Sequence, residues 1–280
     1  MDLGRLGVWN IGIRAGDAGR NREAAAELEE LGYGAVWLGG SPAVQEAAPL
    51  LEATSRLAVA TGILSIWDHE PEAVAEQTAA LEKAHPGRFV LGLGASHGAL
   101  VGERYTRPYS AMIDYLDRLD TAGSPADRRV LAALGPKMLA ASRDRAAGAH
   151  PYLITPEHTQ KAREVLGEGK LLAPEVKVVL ERDPDRARAT ARAHLEMYLR
   201  LPNYTKNLLR LGFSENDLTG GGSDHLIDSV FAWGDLDAIA RRVTEHFDAG
   251  ADHLPLQVIT STPQDVPLPQ WRELAPLAKN

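Results

Sequence analysis

Four short stretches carry residue types that can do chemistry. "GLGASHG", Gly92 to Gly98, ends an apolar run in glycines and then sets Ser96 beside His97. A histidine at a strand end can give or take a proton near neutral pH. The letters from Gly94 to Gly98 also match the G-x-S-x-G elbow of serine hydrolases. Ser96 would then be the nucleophile, with His225 or His253 as base and Asp224 or Asp228 close by in sequence. The elbow needs a helix immediately after the serine, and "GALVGERYTRP" is a poor one. A dinucleotide fingerprint fits less well, because His97 stands where its third glycine belongs.

"LGPKML", Leu134 to Leu139, and "YLITPEH", Tyr152 to His158, each run from a strand end into a helix start. The N–H groups of Lys137 and Met138 would face an anion, and Lys137 adds charge. Two helix starts in adjacent units suit one phosphate. The fourth stretch, "LAVATGILSIWDHEP", Leu57 to Pro71, reads as a buried strand that Gly62 interrupts and that ends in Trp67, Asp68 and His69. Glycine inside a strand implies a bulge or a close approach of something else. The nine histidines show no paired ligand spacing, so no metal site is expected.

Eight apolar runs read as strands that could position these residues: Leu6–Ile11, Ala35–Leu38, Leu57–Leu64, Phe89–Leu93, Arg129–Leu134, His150–Ile154, Val176–Leu180 and His253–Ile259. Helical patterns lie between them. Leu236, Ile239, Val243 and Phe247 share one helix face. Pro42, Pro71, Pro136, Pro156 and Pro184 mark helix starts, with Ser41, Thr155 and Asp183 as caps. Gly32, Gly87, Gly148 and Gly250 mark helix ends. Alternating strands and helices predict parallel strands closed into a (β/α)₈ (TIM) barrel, with a doubly wound open sheet as the rival. Residues 1–280 are expected to form one domain. A long gap before the last strand predicts a helical insertion over 200–234, read as a lid at the carboxyl-terminal face where barrel active sites sit.

At 280 residues and 44% hydrophobic, the chain can build such a core. A net charge of −8 without a Lys/Arg cluster argues against nucleic acid as partner. There are no cysteines, so disulfides and thiolate chemistry are excluded and a cytoplasmic setting is expected. The first residues lack a signal-peptide layout, and no apolar run is long enough to span a membrane.

With these residues in view, the chain resembles the bacterial luciferase-like superfamily of (β/α)₈ barrels, and within it the branch that uses the deazaflavin coenzyme F420. The resemblance rests on "ELGYGAVWLG", "VATGILSIW", "PGRFVLGLGASH", "VLAALGPKML" and "GAHPYLITPEHT". It implies a non-proline cis peptide at Gly62-Ile63, in a bulge that supports the cofactor ring together with Leu64 and Ala95. It places the cofactor phosphate at Leu134, Gly135, Pro136, Lys137 and Met138, with Tyr152, Thr155 and His158 nearby. The chain departs from the sugar-phosphate dehydrogenases of that branch. "LGGSP" replaces their acid-histidine pair after the second strand, and His97 stands where they have a glutamate. His97, with Ser96, is therefore expected to handle a proton, and Gly39 and Gly40 to leave room near the ring. Asn10, Trp67, His69 and Tyr204 are the expected substrate wall. The implied activity is hydride transfer between F420 and an unidentified organic substrate. The alternatives are an FMN-dependent monooxygenase of the same superfamily and a flavin-binding barrel without turnover. A homodimer is the assembly that relatives imply.

Overall fold

The computed structural model describes residues 2–262 and 264–279. Eleven strand segments form one parallel, curled sheet: β1 (Leu6–Asn10), β2 (Ala35–Gly39), β3 (Ala58–Gly62), β4 (Leu64–Ser65), β5 (Phe89–Gly94), β6 (Arg129–Leu131), β7 (Gly148–Ala149), β8 (Leu171–Leu172), β9 (Val176–Val179), β10 (Phe231–Trp233) and β11 (Leu254–Val258). Their order is β10-β9-β11-β1-β2-β3-β5-β6-β7-β8, with β4 continuing β3 along β5. Residues 171–179 are bonded on both sides. Backbone N–H groups of Leu171, Ala173 and Glu175 donate to Ala147, Ala149 and Pro151, while those of Asp252 and Ile259 donate to Leu172 and Val178. The two ends of the curl meet there, as the expected barrel requires.

Helices cover the outside: α1 (Ala18–Leu31), α2 (Ala48–Glu52), α3 (Pro71–Ala84), α4 (Gly98–Val101), α5 (Pro108–Thr121), α6 (Pro136–Arg145), α7 (Pro156–Leu166), α8 (Pro184–Tyr198), α9 (Pro202–Leu211), α10 (Asp224–Val230), α11 (Leu236–Asp248) and α12 (Leu268–Leu274). Proline opens α3, α6, α7 and α8 as read, where its missing N–H loses no partner. Thr155 and Asp183 cap α7 and α8 with their side chains. Ser41 does not cap a helix; its Oγ accepts from the Ser65 N–H at 3.2 Å. Gly148 ends no helix either, because α6 stops at Arg145 and Gly148 already belongs to β7.

Three strand readings need correction. The third run breaks into β3 and β4 at the cis peptide Gly62-Ile63. The sixth strand is β7, ahead of His150–Ile154, because Pro151 has no N–H to extend the ladder. The expected insertion is not purely helical. After α9, a 3₁₀ turn at Glu215–Leu218 and α10, it returns as β10, which pairs with β9 through Phe231 and Lys177.

Alternate strand residues face the inside of the curl. There Trp37, fully buried, donates its Nε1–H to His253 Nε2 at 3.0 Å and stacks on His150 at 4.2 Å between ring centroids. His253 Nδ1 donates to the Gly4 carbonyl and His150 Nδ1 to that of Ala173. Glycine at position 7 is needed here, since a Cβ would lie 2.8 Å from His253 Nε2. Burial depresses both histidines from 6.5 to about 4. The folded state therefore keeps them neutral, while the unfolded chain protonates them below 6.5. Stability that is whole above 6.5 is lost as the pH falls toward 4. His253→Gln keeps an acceptor for Trp37 but cannot titrate. Urea denaturation across this window should give the variant an acid slope shallower by up to about 1.4 kcal/mol per pH unit; identical slopes would contradict the assignment.

Candidate active site

The strands all run the same way, so the loops after β1, β2, β4, β5, β6, β7 and β9 gather at one end. The loop after β5 carries Ser96 and His97. Ser96 has a positive φ of 53°, which turns the chain sharply off the strand. Trp67 braces this loop by donating its Nε1–H to the Ala95 carbonyl at 2.6 Å, and its ring lies against Tyr105. His97 is half-buried. Its Nδ1 lies 3.3 Å from Asn203 Nδ2 and accepts from it, which leaves the proton of the neutral ring on Nε2. Burial lowers its pKa, so the ring is neutral at pH 7.

The first turns of α9 lie across the same end. Asn203 reaches His97, and the Tyr204 ring packs 5.0 Å from the His97 ring, then against Tyr198 and Tyr152. Further along the same face, the Arg210 guanidinium stands beside Gly135, where an added Cβ would lie 3.6 Å from Nη2. Positions 203, 204, 207 and 210 recur at helical spacing, so one face of one helix touches both the His97 loop and the start of α6.

Below Tyr204 sits a buried polar cluster that the sequence reading missed. Lys177 and Glu175 are both fully buried, with Nζ 3.0 Å from Glu175 Oε1 and 3.0 Å from Gln257 Oε1. Tyr152 donates to the same Gln257 oxygen at 2.7 Å and meets the Tyr198 hydroxyl at 2.8 Å. Lys177 Nζ also lies 3.6 Å from the Tyr152 ring centroid. Burial pushes Glu175 up and Lys177 down to about 8, and each charge offsets the other's desolvation. The signal available was a lysine in the middle of an apolar run, "EVKVVL".

Gly62, the glycine inside the third strand run, has its explanation here. A Cβ on Gly62 would lie 2.8 Å from Trp9 Nε1, whose hydrogen bond to the Gly62 carbonyl is 2.9 Å long. The group that approaches is an indole from β1. The room expected over Gly39 and Gly40 is likewise filled. Trp9 and Ile11 lie under 3 Å from a Cβ at Gly39, and Arg14 Nη2 lies 2.7 Å from one at Gly40. Arg14 is held there by the Gly39 carbonyl and Glu46.

Other site expectations separate in space. Leu64 points into the strand–helix core, so only its backbone can face the mouth. The Ile63 side chain crosses to Gly94, where a Cβ would collide with it. Asn10 is spent on the backbone: its Oδ1 accepts from Ile13 N–H and its Nδ2 donates to the Asp265 carbonyl. His69 sits half-buried after Trp67 and makes no hydrogen bond among the described residues. Pro136 and Lys137 are exposed at the start of α6, with Met138 partly buried behind them. Thr155 caps α7 on the His158 N–H, while His158 Nε2 donates to the Leu134 carbonyl at 2.9 Å. The hydrolase constellation does not assemble. His253 lies at the opposite end of the strands from Ser96, bonded to Gly4 and Trp37. His225 packs on Phe213, and Asp224 and Asp228 pair with Arg188 and Arg192.

The loops at the carboxyl ends of the parallel strands thus bring together a half-buried histidine, a tyrosine cluster and a helix start. Residues 7–124 match the family model of the luciferase-like monooxygenases, so the resemblance read from the sequence is shown over that stretch. The chain is 31% identical over 125 residues to 4-hydroxyprotoasukamycin monooxygenase of Streptomyces nodosus subsp. asukaensis; the match covers 39% of this chain and 34% of that protein's length. Solved structures share the fold throughout. An F420-dependent secondary alcohol dehydrogenase, bound to an F420–acetone adduct, superposes with a TM-score of 0.75 at 14% identity, over 99% of both chains. The FMN complex of the oxygenating constituent of 3,6-diketocamphane monooxygenase from Pseudomonas putida gives 0.71 at 14% identity, over 99% of this chain and 97% of that one. The F420-dependent tetrahydromethanopterin reductase of Methanopyrus kandleri also gives 0.71 at 14%, over 98% and 97%.

The buried ion pair has a measurable consequence. Lys177→Met leaves the Glu175 carboxylate buried without its cation, and chemical denaturation should report a loss of about 3–5 kcal/mol. Lys177→Met combined with Glu175→Leu should regain most of it. A double variant as unstable as the single one would refute the pairing.

Proposed function

We propose that the protein is an oxidoreductase that binds a flavin-type cofactor at this mouth and transfers a hydride between coenzyme F420 and a small organic substrate. The observation that carries the reading is the half-buried His97 held by Asn203 and Tyr204 of α9, a helix whose far end reaches Gly135 at the start of α6. The residues fit such a group: the Ile63 side chain covers Gly94 as an apolar seat, while Gly135 and Lys137 offer backbone N–H groups to a phosphate. When bound, the cofactor supplies the hydride chemistry.

The chain supplies position and protons. The Asn203 bond orients His97 with its Nε2–H free to donate, and the Tyr204 ring packs against the imidazole. A neutral imidazole can donate a hydrogen bond from Nε2–H to a developing oxyanion, which takes its proton from solvent once the charge has formed. Substrate would enter between the β5 loop and α9. A second reading, an FMN-dependent monooxygenase, is favoured by the sequence likeness to the Streptomyces monooxygenase in the first half of the chain. On either reading the partner is a small molecule. No helix among the described residues is long and apolar enough to cross a membrane. A cytoplasmic setting and a homodimer remain part of the proposal.

Titration with oxidised F420 and, in parallel, FMN, followed by quenching of the five tryptophans and by cofactor fluorescence, decides between these. Tight F420 binding with weak FMN binding is the expected result. FMN preference would move the protein to the monooxygenase reading, and binding of neither would end both.

A further inference from the structure

We infer that α9 carries the second half of the cofactor's phosphate site: Arg210, backed by Asn207, closes over the N-terminus of α6 and clamps a phosphoester there. The inference rests on the flavin-type cofactor proposed above.

The start of α6 is an incomplete anion site by itself. Gly135 occupies the cap position and offers no side chain, and the ten-residue helix opens with proline. The N–H groups of Gly135 and Lys137 find no backbone acceptor among the described residues. A cation from another element completes it. Arg210 lies beside Gly135 and has no carboxylate partner among the described residues; its one hydrogen bond is to Asn207 Oδ1, at 3.1 Å. That bond fixes which way the Asn207 amide points. Asn207 is 2% exposed, yet its Nδ2 has no acceptor. A buried amide donor without a partner is costly, and a ligand oxygen would relieve it. His158, 3% exposed, also has an unpartnered Nδ1, and its Nε2 is tied to the carbonyl of Leu134, the residue before Gly135. In the neutral ring that Nδ1 is an acceptor, suited to a hydroxyl next to the phosphate. Arginine, amide and helix N-terminus together present only donors to the anion.

The geometry also links this site to His97. Asn203 and Tyr204, which hold His97, lie on the same α9 face as Asn207 and Arg210. A phosphate that seats Arg210 therefore seats the helix, and the helix fixes the proton-handling ring. A non-reacting part of the cofactor would thus orient the reacting end.

Four ligands test this: FMN against riboflavin, and F420 against its phosphate-free deazariboflavin core. Wild-type protein should bind the phosphorylated member of its preferred pair at least about tenfold more tightly. Arg210→Gln should erase that preference and leave affinity for the phosphate-free member unchanged, while Arg210→Lys should keep part of it. Tryptic cleavage after Lys206 should be slowed by the phosphorylated ligand and not by the other. If Arg210→Gln keeps the full preference, or wild type binds both members equally, the clamp is wrong while the cofactor reading stands. If wild type binds none of the four, the cofactor reading falls and takes the clamp with it.

Discussion

The mouth of the sheet is organised around one indole. Trp9 projects from β1 into the space above β2 and β3, bonds the Gly62 carbonyl, and lies 5.4 Å from the Tyr152 ring across the interior. Side chains at 39 and 62 would occupy the indole's volume, so both positions are glycine. The ring thus spans the barrel from the break between β3 and β4 to the buried tyrosines. Ile63, next in the chain after Gly62, lies over Gly94, and the β5 loop with His97 follows.

The second constraint is electrostatic. An ammonium buried as deeply as Lys177 is tolerable only because Glu175, Gln257 and the Tyr152 face surround it. Gln257 accepts from both Lys177 and Tyr152, which leaves Tyr198 to donate to Tyr152. The hydroxyls are thereby oriented in one sense, and the aromatic floor on which α9 rests is fixed. The insertion is thus tied to the barrel at three heights: β10 on β9, Tyr204 on the tyrosine cluster, and Arg210 at Gly135.

Much of the frame is legible in the sequence because it is local. Apolar runs followed by Pro71, Pro136, Pro156 and Pro184 mark strand ends and helix starts by residue chemistry alone. His97, Tyr152, Tyr204, Gly135 and His158 follow, since each sits just past a strand or on the long insertion. What the sequence hides is long-range. That Gly62 answers to Trp9, 53 residues away, cannot be read from its neighbours. Nor can the filling of Gly39 and Gly40 by Trp9, Ile11 and Arg14. Asn10 and Leu64 look available as letters but are spent inside the fold, one on backbone groups and one in the core. Phe231–Trp233 is too short a run to stand out as a strand. Asn203, Asn207 and Arg210 gain meaning only once α9 is laid across the mouth.

On the proposed reading the cofactor ring sits under α9, between Ile63 and His97. A crystal structure of the protein with its tighter-binding cofactor tests this most directly. The ring is expected against Ile63 and Gly94, with its reactive edge toward His97 and α9 seated over it. A ring bound elsewhere, or one that leaves His97 on the far side of Tyr204, would contradict it.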